Sequence, residues 1–529
     1  MIDVVLESGR VCDGTGRDTF VTDVAIRGDR IVRVGSCADL EAASRLDCRG
    51  LVVAPGFIDM HGHSDEVLLV LPSADSKIAQ GITTEVGGNC GSSPAPLLRR
   101  AFAQRRDELL RHYQMEPVWT DFDGFFSELE RARPALNFCC LCGLGTVRDA
   151  LGEVAPQPLA PEPLRAAQRL VREACEQGAI GVSSGLIYPP GSFADTTELI
   201  ALATAAGAAG SPLYASHIRN EGDRLIESVD EALDVGRRSQ CAVQLSHHKA
   251  SRRRNWGKVH DSLAHVERAR AAGLDVVLDQ YPYKASSTGL DVILPDDVRV
   301  GSPEEIAAAL SDPRYAALVA ARVELEYGGQ WHEVFIASVG SSRNRAFEGM
   351  SLSEIGQATG KTPVAAALRL LVDERLDVAA IYFTMSEDDV RTVLSYGYTA
   401  IGSDASVRAR GGVTARGKPH PRAFGTFPRV LKRYVNDASL LPLPEAVRRA
   451  TSLAARRLGL RDRGELVSGS FADVVVFDPG RVADTATYSE PYRYPEGIVH
   501  VFVNGGFALR EGVLTGQRAG RVLRRGRDL

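Results

Sequence analysis

A chain of 529 residues, 44% hydrophobic and 24% charged, has the length of about three ordinary domains or of one barrel enzyme with insertions, and can bury a large core. That composition excludes global disorder, collagen-like structure and a disulfide-stapled miniprotein. A formal net charge of −5 and only 6% aromatic residues offer no footprint for nucleic acid or an anionic membrane surface, and no platform for stacking single strands.

The first fifty-odd residues alternate in the manner of strands. Segments 3–16 (DVVLESGRVCDGTG), 22–35 (TDVAIRGDRIVRVG) and 44–56 (SRLDCRGLVVAPG) carry β-branched residues at period two, punctuated by Gly and Asp. No basic segment followed by an apolar one opens the chain, and no stretch reaches the roughly 18–20 apolar residues that cross a bilayer. The nine cysteines are odd in number and include no CxxC pair, the usage of a reducing compartment. A cytoplasmic protein without a membrane partner is expected.

From Gly56 the texture changes. Apolar runs at 57–60, 83–87, 136–142, 180–184, 213–216, 242–246, 275–279 and 398–403 are separated by amphipathic segments such as 163–177 and 227–238. Eight strands alternating with helices predict an α/β fold, a (β/α)8 TIM barrel. The interval from Ser287 to about residue 380 exceeds a plain crossover and predicts an inserted lid subdomain, set at about 288–345. Strand texture returns from Gly464, with a hairpin signal in Val-Asn-Gly-Gly at 503–506. The expected organisation is a catalytic barrel over 57–463 and a small β-sandwich domain built from both termini, 1–56 and 464–529. The Arg-rich tail, 518–529, reads as a solvated end.

His61-Gly62-His63-Ser64-Asp65 follows the first barrel run. Histidines at i and i+2 of an extended strand point to one face, so both rings can approach one point. Asp65 lies on the same side and is positioned to orient an imidazole. His217 ends Leu-Tyr-Ala-Ser-His, His247 ends Val-Gln-Leu-Ser-His, and Asp404 ends Ala-Ile-Gly-Ser-Asp. Five titratable side chains thus fall at the C-terminal ends of barrel strands, where such enzymes do their chemistry. Imidazoles with few other ligands suit Zn²⁺, and a nearby carboxylate suits proton transfer to and from a metal-activated water.

This pattern resembles the amidohydrolase superfamily. Gly-Ile-Thr-Thr-Glu-Val-Gly-Gly-Asn-Cys-Gly at 81–91, Gly-Leu-Ile-Tyr-Pro-Pro-Gly at 185–191, Ser-His-His-Lys at 246–249, Asp-Gln-Tyr-Pro-Tyr at 279–283 and His-Pro-Arg at 420–422 narrow the resemblance to the N-acyl-D-amino-acid deacylases (D-aminoacylases), over nearly the whole chain. The resemblance implies zinc-dependent hydrolysis of the amide of N-acyl-D-amino acids to a carboxylate and a free D-amino acid. It implies that Cys90, His217 and His247 hold one tight zinc and that His61 and His63 belong to a second, weaker site. It gives Asp404 the role of general base and acid, and Arg422 that of anchor for the substrate carboxylate. Lys249, Tyr281 or Tyr283, and Ser287 complete that clamp, and Tyr188 lines the acyl pocket. The expected partner is the small-molecule substrate alone, for a monomer or a homodimer. Two other readings are hydrolysis of another carboxylate-bearing amide (a dipeptide ending in a D-residue, or a cyclic amide) and a non-catalytic scaffold.

The chain departs from the family's pattern at two places. Gly143-Leu144-Gly145 stands where a His usually follows the third-strand glycine. The loop 405–421 is long and basic, adding Arg408, Arg410, Arg416 and Lys418 near the mouth; it reads either as a selector of acidic substrate side chains or as a solvated loop.

Overall fold

The computed structural model describes residues 1–529, the side chain of Arg100 excepted. Near the N-terminus lie β1 (Ile2–Val11), β2 (Phe20–Arg27), β3 (Arg30–Val34), β4 (Ala42–Asp47) and β5 (Val52–Pro55). β1 is antiparallel to β2 along one edge. Its other edge takes β4 along residues 2–7 and β5 at Arg10 and Val11.

The barrel follows directly. Its strands are β6 (Phe57–Asp59), β7 (Ile82–Gly87), β8 (Asn137–Cys140) continued as β9 (Cys142–Gly143), β10 (Val182–Gly185), β11 (Leu213–His217), β12 (Ala242–Leu245) and β13 (Val276–Gln280). All neighbouring pairs are parallel. Their near-continuous burial is what strands covered on both faces by helices require. Leu141 interrupts the third strand, where its N–H donates to the Gly87 carbonyl at 3.0 Å while Cys142 N donates to the Gly181 carbonyl at 2.9 Å, so the ladder is handed from β7 to β10.

After β13 the chain leaves the barrel for an antiparallel sheet of β14 (Ser286–Gly289), β15 (Val334–Val339) and β16 (Val378–Tyr382), ordered β14-β16-β15. Helices Pro303–Leu310, Pro313–Tyr327, Leu352–Thr359 and Pro363–Asp373 pack on it. Ser302 and Ser351 open two of these with capping boxes to Glu305 and Glu354. The unit has its own core, including Leu290, Trp331, Ile336, Leu352, Leu371 and Ala380. It runs from 286 to 382, so it fills the long interval from Ser287 to about residue 380 and extends beyond the 288–345 set for the insertion.

β17 (Thr399–Ile401) returns to the barrel beside β13. Closure onto β6 is made by Met60 N to the Ile401 carbonyl (3.3 Å), Asp404 N to the His61 carbonyl (2.7 Å) and a bridge between Gly62 and Ala405. Ile58, Met60, Val86, Cys139, Ala215, Val277 and Ala400 form one buried cluster capped by Leu453, Ala454 and Leu458 of the helix Ser452–Leu458. β18 (Val474–Phe477), β19 (Ile498–Val503), β20 (Gly506–Arg510) and β21 (Val513–Leu514) then join the first sheet through β18 against β5. The two termini thereby share one nine-stranded sheet, in the order β21-β20-β19-β18-β5-β1-β2-β3 with β4 on β1.

The Arg-rich tail is docked, which corrects the expectation of a solvated end. Val522 bridges Phe138 in β8, Leu523 N donates to the Phe138 carbonyl, and both tail residues are buried. Arg524 pairs with Asp123 and Glu130, and Arg521 with Asp29. Among the described residues no helix is long and apolar enough to cross a membrane.

Candidate metal centre and active site

The C-terminal ends of the barrel strands enclose a cavity of about 480 Å³. Ten of the twelve residues singled out from the sequence line it: His63, Cys90, Tyr188, His217, His247, Lys249, Tyr281, Ser287, Asp404 and Arg422. His61 is fully buried behind Cys90, its Nε2 3.3 Å from the thiol sulfur. Tyr283 stays outside the lining and packs on His420 (ring centroids 5.0 Å) and under Arg429.

Local backbone geometry aims these groups inward. Cys90 (φ 54°), His247 (φ 34°) and Asp404 (φ 49°) are all left-handed, a conformation that costs non-glycine residues on the order of 1–3 kcal/mol each and persists only where surrounding contacts impose it. Asp279 imposes it at His247 by accepting the His247 N–H at 2.8 Å. Around Cys90, Gly88 and Gly91 are required: a Cβ on Gly88 would lie 2.0 Å from the Leu141 carbonyl oxygen, and one on Gly91 would lie 2.6 Å from Gly185 N.

Two donor groups converge. The Cys90 sulfur lies 3.4 Å from His247 Nε2, and with His61 and Asp404 these residues offer ligand atoms within 4.8 Å of one another; His217, Glu221 and His247 do the same. His63 Nε2 is 3.0 Å from Asp404 Oδ1, and His61 Nε2 is 3.6 Å from the same oxygen. His217 and His247 rings meet edge to face at 4.4 Å. Burial pushes the Cys90 thiol up, but His61 and His247 overcome it and hold the thiol well below its ordinary value. Burial likewise raises Asp404, and Arg422 with His247 reverses the effect, leaving the carboxyl well below the usual carboxylate range. His63 is pulled down by burial and carried up to about 9 by hydrogen bonds to Asp404 and Cys90.

Two cations adjoin this cluster, Lys249 with its Nζ 2.7 Å from His247 Nδ1 and Arg422 beside Asp404. Arg422 Nη1 is 2.7 Å from Asp404 Oδ2 yet off its hydrogen-bonding axis, while Nη2 donates to the Ser287 carbonyl at 3.1 Å. The Ser287 hydroxyl is spent on the Ala380 carbonyl (3.0 Å), so this residue steers Arg422 through its backbone. The Arg422 guanidinium sits 4.6 Å over the Tyr281 ring, and Lys249 Nζ is 5.9 Å from it. Tyr188 packs edge to face on His217 and holds Thr288 through its hydroxyl at 3.0 Å.

Three features were not legible as site residues. Glu221 pairs with Lys249, lies 3.1 Å from His247 Nδ1 and reaches to 4.0 Å of His217 Nε2; its only signal is an acid four residues after a strand-end histidine. Asp279 stands 3.1 Å from His61 Nδ1. That is the orienting role expected of Asp65, whose Oδ1 instead accepts the Gly88 N–H at 2.7 Å. Arg299 is buried, with Nε and Nη1 unpartnered. By contrast the basic loop turns away from the cavity: Arg408 binds the Thr414 carbonyl, Arg410 lies over Tyr494 and Arg416 contacts His112.

The amidohydrolase family model matches residues 45–294 and 345–508. The chain belongs to the amidohydrolase family. Within it the chain is 42% identical, over 527 residues, to an N-acyl-D-glutamate deacylase of Alcaligenes xylosoxydans xylosoxydans (99% of this chain, 97% of the relative). It superposes on the N-acyl-D-glutamate deacylase of Bordetella bronchiseptica, solved with zinc and a phosphonate mimic of the tetrahedral intermediate, at a TM-score of 0.84 and 36% identity, covering 99% of each chain. It also matches a D-aminoacylase whose binuclear centre is described by one-metal activation and second-metal attenuation (TM-score 0.83, 36% identity, 99% of this chain and 100% of that one). These similarities place this amidohydrolase in the D-aminoacylase branch.

The donor set of this amidohydrolase fits zinc. A thiolate, several imidazoles and a carboxylate converge, and neither ring nitrogen of the buried His217 finds a protein hydrogen-bond partner.

Proposed function

We propose that this amidohydrolase is a zinc-dependent deacylase of N-acyl-D-amino acids whose preferred amino-acid side chain is acidic. The observation that carries the chemistry is one cavity in which two cations stand directly against a thiolate–imidazole–carboxylate cluster, Arg422 2.7 Å from Asp404 and Lys249 2.7 Å from His247 Nδ1. Cys90, His217 and His247 would hold the tight zinc, and His61 and His63 would offer the second position. When bound, zinc polarises the amide carbonyl and brings the pKa of a water at the site to about 7.

The chain's own residues supply the rest. Arg422 and Lys249 bind the α-carboxylate, the planar guanidinium matching both oxygens, with Tyr281 packed beneath the pair. Asp404 accepts the proton of the attacking water on its carboxylate and returns it to the leaving amine nitrogen. Tyr188 bounds the acyl side. One zinc suffices in this reading, as the description of the D-aminoacylase centre supports. Nine unpaired cysteines fit a reducing, cytoplasmic location.

Arg299 supports an acidic side chain. It lines two further cavities; one shares Glu221, Ser286 and Thr288 with the main cavity and the other shares Pro189 and Pro190. Buried guanidinium N–H groups without acceptors are costly unless a ligand supplies them, and a D-glutamate or D-aspartate side chain would do so. The relatives named for D-glutamate point the same way.

Chiral chromatography of reactions on N-acetyl-D-glutamate, N-acetyl-D-aspartate, N-acetyl-D-methionine and their L-forms tests this. Turnover is expected for the D-forms only, with the acidic ones preferred. Arg299→Met is expected to cost the acidic substrates about 10²-fold in kcat/KM, the scale of a lost buried charge pair, and to leave D-methionine within about threefold. A wild-type preference for methionine would sink the acidic reading, and equal turnover of L-forms would sink the deacylase assignment.

A further inference from the structure

A fully buried lysine at the barrel's closing seam has no place in the chemistry described so far. Lys77, on the short helix Asp75–Ile78, is 0% exposed. Its ammonium spends three hydrogen bonds: on Asp59 Oδ2 (2.6 Å), on Ser403 Oγ (2.8 Å) and on the Ala405 carbonyl (2.9 Å), with Glu85 Oε2 a further 3.4 Å away. Ser403 and Ala405 are the two neighbours of Asp404.

The acids that face Lys77 hold the histidine segment. Asp59 Oδ1 accepts His61 N at 3.2 Å and Ser403 N at 2.8 Å, while Oδ2 also takes the Ser403 hydroxyl at 2.6 Å. Glu85 Oε1 accepts Ser64 N at 3.1 Å. Between these two grips Gly62 has no room for a side chain, since a Cβ there would lie 2.0 Å from Glu85 Oε1. His61-Gly62-His63 is therefore clamped at both ends by acidic side chains that face one ammonium. On the other strand, Ser403 Oγ also accepts Ala405 N at 3.2 Å, and Asp404 N reaches the His61 carbonyl at 2.7 Å.

We infer that Lys77, acting with Asp59, Glu85 and Ser403, is a positioning residue that holds Asp404 in its left-handed turn and in register with His61 and His63. The seam is where this is needed. It joins the first and last barrel strands, whose bridging groups are more than 320 residues apart, and its ladder contact from Met60 N to Ile401 is long at 3.3 Å. Asp404 has no glycine's tolerance for φ 49°, so a grip on both of its neighbours fixes a conformation that the residue would not keep alone. A displacement of about 1 Å in a group that transfers protons is enough to cost about 10²-fold in rate.

The inference rests on the deacylase reading, and its test separates the two. Lys77→Gln and Ser403→Ala are compared with wild type in kcat and KM on the best N-acetyl-D-amino acid, in zinc per chain, in unfolding midpoint and in crystal structures. Ser403→Ala removes one link without leaving a buried charge unpaired, so it stays informative where Lys77→Gln fails to fold. The expected result is a kcat lower by about 10²-fold in Lys77→Gln and about tenfold in Ser403→Ala, in line with misplacement of a reacting group, with KM and zinc content within about threefold and Asp404 rotated out of the left-handed region. Unchanged kcat in folded Ser403→Ala, or losses that merely track zinc content or folded fraction, would overturn it. If wild type turns over no N-acyl-D-amino acid, the deacylase reading fails, and the crystal structures alone decide: Asp404 still left-handed in the folded variant overturns the positioning role.

Discussion

Arg422 Nη1 stands 2.7 Å from Asp404 Oδ2, so the proposed anchor for the substrate and the proposed proton carrier are in contact before any substrate arrives. Arg422 is buried and Asp404 retains 12% side-chain exposure, and Arg422 is the strongest of the charges that offset burial at Asp404. A substrate carboxylate reaching Arg422 joins an existing pair instead of an isolated cation, which couples recognition of the substrate's acid end to the state of the base.

Removing the guanidinium should therefore do two things. Arg422→Met is expected to lower kcat/KM by about 10²–10³-fold, the scale of a buried charge partner. It also lets the Asp404 pKa rise. The base works as the carboxylate, so a raised pKa moves the acid limb of the kcat/KM profile to higher pH. Wild type, with Asp404 held far below the usual range, has no such limb from this group near neutrality. A pH–rate profile of both proteins checks this; an acid limb that stays put in the variant would show that Arg422 does not govern Asp404.

Cys90 is the proposed ligand without which the metal assignment fails. Its thiol is held as thiolate by His61 and His247 against burial, and its sulfur is the atom common to the contacts of both histidines. Cys90→Ala is expected to reduce bound zinc from about one per chain to below about a tenth, and activity with it, because structural-scale zinc affinity depends on deprotonated ligands. Treatment of wild type with a chelator should abolish turnover, and one equivalent of zinc should restore it. His63→Asn, by contrast, should keep the tight zinc. Mass spectrometry of metal content settles the set: full zinc in Cys90→Ala would remove the thiolate from the ligand list.

Much of this was legible in the chain, and the reason is spatial. Barrel strands announce themselves as short apolar runs, and a polar residue at the end of such a run lies at the mouth wherever the fold closes; that locates His217, His247 and Asp404 without a structure, whereas Cys90 was singled out by the family resemblance. Alternation predicts a shared face only while the chain remains extended. β6 ends at Asp59, and beyond Gly62 the segment turns, which is why Asp65 meets Gly88 instead of an imidazole. Asp279, Arg299 and Lys77 escaped because each acts through space on partners that sequence spacing does not relate, and Glu221 carried only its spacing of four from His217. Lys77 lies on a short helix 326 residues from Ser403 in the chain, and only closure of the barrel brings the two together. The insertion was set short, at 288–345, because the pattern showed an interval to about residue 380 too long for a crossover but not where the inserted unit ends within it.

Glu85 gives the same seam a signature in stability. Burial pushes its carboxyl up to about 7 from an ordinary 4.5, with Lys77 opposing and Asp59 adding to the rise. Between those two values the folded chain binds a proton that the unfolded chain has released, so this group's contribution is fully present below about pH 4.5 and is lost as pH rises through 7. The whole of it amounts to about 3 kcal/mol, at 1.36 kcal/mol for each unit. Glu85→Gln keeps an acceptor for Ser64 N and cannot titrate. Its stability relative to wild type should therefore climb from pH 4.5 to 7 and level off above, read as the difference in urea unfolding midpoints at a series of pH values. A difference that does not vary with pH would mean that Glu85 is already ionised at pH 5 and that Lys77 is neutralised by two full charges.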